Sequence, residues 1–367
     1  MIPDSTHIPA EDSHDGTVSL TQLPTEIRQA ILEEVILSRP VPARNPSESQ
    51  AERFNMLTHR GVWILDRRGS SAPSLLLVNK QINEETKVVT ARTPVRCYVD
   101  LMFVKSCGLW PSWYFSQQLA TEYIDSVEAT IRLFEPMEDL DPCFSGSMSL
   151  VGGAGGPPGA VWDFYKMLAA LFIEPGFSFL EDWFSLENFE PNYVVRKLVI
   201  DVLPPTDGYP HRSVTFTEAE LDSDAGYWAE GRYGANDASK PAELRLADFL
   251  LGHFDCLWDV GRGTEYWAIF CECVTDRIVF RVNGNDYRVY NIDRVIEMCM
   301  RDDFIDIDPV RKQTRLDNLA VWKAWLDKRR SKMKLGLPLG DNPRPVTNCI
   351  SAGFGSPTRR GITEGNN

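Results

Sequence analysis

After residue 94 the apolar residues of this chain stop recurring every three to four positions and begin to alternate. That change of period limits the available folds more than any other feature. Val95, Cys97, Val99, Leu101 and Phe103 alternate with Arg96, Tyr98, Asp100 and Met102, the pattern of a strand with one face turned to a core. The same period returns in Val127, Ala129, Ile131 and Leu133, in Leu198, Ile200 and Val202, and in Ile278, Phe280 and Val282. Between these strands lie helical stretches. Val161–Ile173 gathers Phe164, Tyr165, Leu168, Leu171 and Phe172 on one side, and Glu243–Trp258 gathers Ala247, Leu250, Leu251 and Phe254. Parallel neighbours need crossovers of a dozen residues or more, and this order supplies them. The expectation is an α/β (or α+β) body, a mixed sheet with crossover helices packed on it. Asn283-Gly284-Asn285-Asp286 reads as a hairpin turn leading to an antiparallel partner at Val289–Ile292. A last helix, Asp317–Met333, carries Leu319, Trp322 and Leu326 on one stripe. The tripeptides Ile131-Arg132-Leu133, Ile200-Asp201-Val202 and Phe280-Arg281-Val282 resemble one another. Their spacings of 69 and 80 residues are far longer than a solenoid repeat, so ordinary crossovers are the better reading.

Ahead of the body the period is helical. In Leu23-Pro24-Thr25-Glu26-Ile27-Arg28-Gln29-Ala30-Ile31-Leu32-Glu33-Glu34-Val35, Pro24 suits a first helical position and Glu26 the positive end of the dipole. Ile27, Ile31, Leu32 and Val35 form its apolar stripe. A second helix starts at Pro73-Ser74, places Leu75, Val78, Ile82 and Val89 on one face, and ends at Thr93-Pro94. Neither is stable alone, so the two are expected to pair. Pro40–Ser47 breaks the pattern, Glu48–Thr58 reads as a short helix and Gly61–Leu65 as a strand.

These two stretches, "LPTEIRQAILEEV" and "LLLVNKQINEET", resemble the F-box-like N-terminal module of a large group of fungal proteins. The pattern there is Leu-Pro-x-Glu-(Ile/Leu)-Arg, a helix, a variable gap, then an apolar triplet with a Gln-Ile-x-x-Glu-like helix. The resemblance covers roughly residues 20–92. It implies a helical module over 20–93, with the loop Arg39–Pro73 inserted, ahead of an α/β body over 94–334. It also implies a protein-interaction adaptor, in its fullest form the substrate receptor of a cullin-type ubiquitin ligase. Leu23, Pro24, Ile27, Ile31 and Leu32, with Val78 and Ile82, would meet a Skp-type adaptor protein. The alternatives are a scaffold that keeps the module as structure only, or an enzyme.

Residues 1–19 are acidic and polar and 335–367 rich in Gly, Pro, Asn and Ser, so both are expected to be disordered tails. A net charge of −14 argues against nucleic acid as a partner. No apolar run reaches membrane-spanning length, which argues against a membrane partner. The start Met1-Ile2-Pro3-Asp4 lacks the regions of a signal peptide, and eight scattered Cys form no disulfide framework; the expected setting is cytoplasmic or nuclear.

Motifs that could carry chemistry read better as structure. The run Val151–Gly159 lacks the Lys and Ser/Thr of a phosphate loop and reads as a connector. His253, Cys256, Cys271 and Cys273 would be four soft ligands, but Cys-x-Cys is tighter than the usual zinc spacing, and buried Cys is common as a small hydrophobe. His59, His211 and His253 sit beside no nucleophile motif, and Asp302-Asp303 with Asp306 and Asp308 reads as a solvated face. No cofactor, metal or catalytic residue is expected. Lys328–Lys334 is either an import or contact signal or the basic end of a helix. Trp110–Phe115 reads as core sooner than as an exposed anchor.

Overall fold

The computed structural model of the protein describes residues 19–39, 41–55, 61–65, 72–117, 122–135, 137–148, 157–173, 193–204, 240–258, 266–300, 309–340 and 345. Helix α1 (Thr25–Leu37) opens the fold after a 3-10 turn at Leu20–Gln22. A short helix α2 (Pro46–Ser49) leads into the ribbon β1 (Arg53–Asn55) and β2 (Trp63–Leu65). The expected second helix is broken in two. After α3 (Ala72–Leu75) the chain turns, and α4 (Lys80–Arg92) starts afresh where the extended Asn79 accepts the Ile82 amide at 2.9 Å on its side chain. Thr93 caps the far end as expected.

The body is α/β. Its strands are β3 (Arg96–Val104), β4 (Gly108–Phe115), β5 (Tyr123–Phe134), β6 (Val194–Leu203), β7 (Val274–Val282) and β8 (Asn285–Asn291), in the spatial order β4-β3-β5-β6-β7-β8. β3, β5, β6 and β7 are parallel, and β4 and β8 are antiparallel edges. Because the parallel strands stand side by side in chain order, right-handed crossovers carry the connecting helices to one face. Those helices are α5 (Gly159–Ile173), α6 (Ala242–Leu257) and α7 (Tyr266–Cys273); α8 (Ile292–Cys299) and α9 (Pro309–Lys334) follow the sheet. Alternate strand residues such as Val99, Ala129, Ile200 and Phe280 share one core with Phe164, Phe254, Phe270, Ile296 and Trp322 from these helices. The last turn of the sheet is the expected one: Asn283 and Gly284 take φ of 53° and 78°, the left-handed pair that a two-residue hairpin requires.

The sequence reading missed β4, α7 and α8, and the short helix expected over Glu48–Thr58 is instead the end of α2 followed by strand β1. β4 escaped because Trp110–Phe115 shows no two-residue alternation and carries Pro111, and β3 is buried on both faces where alternation implied one. The cover on the second face comes from Trp63 and Phe144, which pack with Met102, Trp110 and Phe134. The N-terminal module as drawn over 20–93 therefore needs correcting. Its inserted stretch builds onto the body: Val62 bridges Leu109 of β4, and Arg53 donates to Pro111 O at 3.0 Å and to the Ser112 hydroxyl at 3.0 Å. The tail expected from Leu335 is also packed as far as Gly340. Leu339 is buried, and its amide donates to Glu122 at 2.8 Å. Residues 1–18 and 346–367 lie outside the described residues, and no helix among those described is long and apolar enough to cross a membrane.

Candidate partner-docking surface

α1 turns inward on a strict four-residue step: Arg28, Leu32 and Ile36 are its buried residues. Leu32 and Ile36 meet Ile82 and Val89 of α4 in a small core of their own. The third inward position belongs to a charge, and a buried Arg is costly unless paired. Here it is held on every side. Arg28 Nε bonds both Glu85 oxygens at 3.1 and 2.9 Å, Nη2 bonds Glu85 Oε1 at 2.6 Å and the Thr25 hydroxyl at 3.0 Å, and Nη1 donates to the carbonyl of Leu23. The shared hydrogen bonds drive the two groups apart in pKa, holding the Glu85 carboxyl below its usual range and Arg28 above its own.

With Arg28 inside, the expected apolar stripe is rotated. Ile27 and Ile31 are 49% and 37% exposed, and Leu77 and Val78 in the turn before α4 are 87% and 60% exposed. Pro24 is exposed and Leu23 half-buried. Leu32 and Ile82, expected at the same contact, lie in the seam between the helices and present nothing outward. The structure thus leaves Pro24, Ile27, Ile31 and Val78 at the surface and adds Leu77. Beyond α1, Arg39 pairs with Glu128 of β5 and lies 4.4 Å from the ring centroid of Tyr98 on β3.

No family model, curated protein or solved structure matches the chain.

Elsewhere the chemistry-bearing residues are committed to structure. His253 packs edge-on against Phe249, and burial pushes its imidazole down to about 4. Cys271 and Cys273 are fully buried and Cys256 is half-buried; no group of metal-ligating side chains occurs among the described residues. Arg329 and Arg330 of the basic cluster are buried, with Arg330 donating to Val274 O at 3.0 Å, Thr275 O at 2.6 Å and Asp293 at 2.6 Å. The cluster's two arginines are therefore ties to the end of α7 and the start of β7, not a free signal. Trp110 is core. His59, His211, the glycine run up to Gly156 and the Asp302–Asp308 acids lie outside the described residues. Among the described residues the parallel strands β3, β5, β6 and β7 stand in chain order.

Proposed function

We propose that the protein is an F-box-like interaction adaptor whose N-terminal helical pair docks on a helical partner of Skp type, while the α/β body engages the protein to be delivered. One observation carries the reading. The pair has its own core and buried ion pair, yet spends four large apolar side chains (Ile27, Ile31, Leu77 and Val78) on the outside. Each would contribute roughly 1.5–3 kcal/mol if fully desolvated in a partner's groove. A scaffold that used the helices only as structure would gain nothing from that exposure.

The test is co-purification with a recombinant Skp-type adaptor, using the full chain and an Ile27→Asp/Ile31→Asp variant. The expected result is a complex with the parent chain, none with the variant, and unchanged melting of the variant. A variant that still binds removes this face. A variant that unfolds shows the stripe to be internal and favours the scaffold reading.

A further inference from the structure

Among the described residues one buried charge is left without a partner. Arg245 of α6 is 7% exposed, yet it makes no hydrogen bond or ion pair, and its Nε is enclosed with no acceptor. The other buried arginines are all held: Arg28 by Glu85, Arg53 by Pro111 O and Ser112, Arg132 by Asp100 at 2.6 Å, Arg329 by Glu272 O at 3.5 Å and Arg330 by Asp293. A buried guanidinium with no counter-charge is costly. The acids nearest in the chain do not answer it. Glu243, two residues earlier, lies on the far side of the helix and accepts from Asn283 at 3.3 Å; Asp248 is taken by Lys240 at 2.9 Å and by Tyr287 at 2.7 Å.

The side chain of a helical residue leans toward the N-terminus and covers the turn three and four positions before it. For Arg245 that turn is Pro241-Ala242, which opens α6 about 4.5 Å back along the axis, within the length of an arginine side chain. Pro241 makes no side-chain cap. Its carbonyl takes the amides of Leu244 and Arg245, each at 3.1 Å, while those of Ala242 and Glu243 find no acceptor among the described residues. Two unsatisfied N–H groups, the positive end of a 16-residue helix and an unmatched guanidinium therefore meet in one place.

We propose that the N-terminus of α6 binds a phosphoryl group, with two of its oxygens on the Arg245 fork and a third on the amides of Ala242 and Glu243. A tetrahedral oxyanion fits donors that come from two directions, whereas a planar carboxylate is satisfied by the fork alone. The group is carried by a phosphate monoester or is orthophosphate itself. A net charge of −14 argues against a nucleic acid as its source.

The site is independent of the helical pair and is tested on the full chain. The probes are phosphoserine, orthophosphate and acetate, titrated calorimetrically while the melting temperature is followed in parallel. Saturable binding of a phosphate probe with a raised melting temperature is expected, and acetate should bind at least about tenfold more weakly. In Arg245→Gln the phosphate affinity should fall at least about tenfold, while the variant in phosphate-free buffer melts no lower than the parent, because an unbalanced charge has gone. Phosphoserine binding more tightly than orthophosphate assigns the group to a monoester, and the reverse order to the free ion. Should Arg245→Gln unfold, Arg245→Lys keeps the charge without the fork and should bind phosphate several-fold more weakly. Absence of saturable phosphate binding, equal binding by a folded variant, or acetate bound as tightly would overturn the proposal.

Discussion

Among the described residues, two buried side chains are shifted in opposite directions, and each makes stability depend on pH. Asp163 on α5 is pressed against Gly61, where even a Cβ would come within 2.2 Å of Oδ2, and burial pushes its carboxyl up to about 6 against the weaker pull of Lys166. Raised above its unfolded value near 4, the group favours the folded state fully below that value, and the advantage is lost as pH rises through about 6. Asp163→Asn is expected to gain roughly 2 kcal/mol at pH 8 and little at pH 4, measured by urea melts at the two pH values. Equal effects at both would show that the carboxyl titrates normally. His253 works in the opposite sense. Its folded value of about 4 lies below the ordinary one, so its stabilisation is present above pH 6.5 and is lost as pH falls toward 4. His253→Gln should flatten the acid limb by up to roughly 3 kcal/mol, and an unchanged limb would mean that another group drives acid unfolding.

At the scale of elements, the helical pair separates core from surface within one turn. Ile82→Ala opens a cavity in a cluster of four buried residues and is expected to cost about 2–4 kcal/mol. Ile31→Ser, one residue from Leu32 but exposed, should change stability by less than about 0.5 kcal/mol. Thermal melts of the two variants check the rotation of the stripe, since similar losses would put Ile31 inside. The C-terminal end of α9 gives a second case. Arg330→Ala leaves the buried Val274 carbonyl and the half-buried Thr275 carbonyl without this donor and should cost about 1–3 kcal/mol, read as a lower urea midpoint at unchanged slope. α6 and β8 are clamped by two repeated contacts, Tyr287 to Asp248 and Tyr290 to Asp255, each at 2.7 Å, which hold an edge strand that pairs only with β7 among the described residues. None of those partners is marked by hydrophobic period, because clamp residues are polar at both ends.

Over the whole molecule, one core runs through β3, α7 and α8, so their thiols report the same event. Cys97, Cys271, Cys273 and Cys299 all lie in it, and burial pushes Cys299 up to about 12 and the Cys97 and Cys271 thiols well above their usual range. Peptide-resolved alkylation should label exposed Cys143 in the native state and the four buried thiols together, only with global unfolding. Staggered labelling would mean that the helical layer opens apart from the sheet. The sequence by itself determined the strand–helix alternation, the Asn283-Gly284 hairpin and the end of the second helix at Thr93, because period, turn chemistry and helix stops act between residues near in the chain. It also marked the apolar stretch at residues 23–35. Only the tertiary structure decided that Arg28 turns inward and Ile27 outward, since that choice depends on Glu85 reaching across from another helix. Nor could local pattern tell that residues 53–65 cover a sheet edge, or that Arg245 is buried with no acceptor for its Nε. Those outcomes rest on strand register and on which buried charges find partners, and both are properties of the assembled fold.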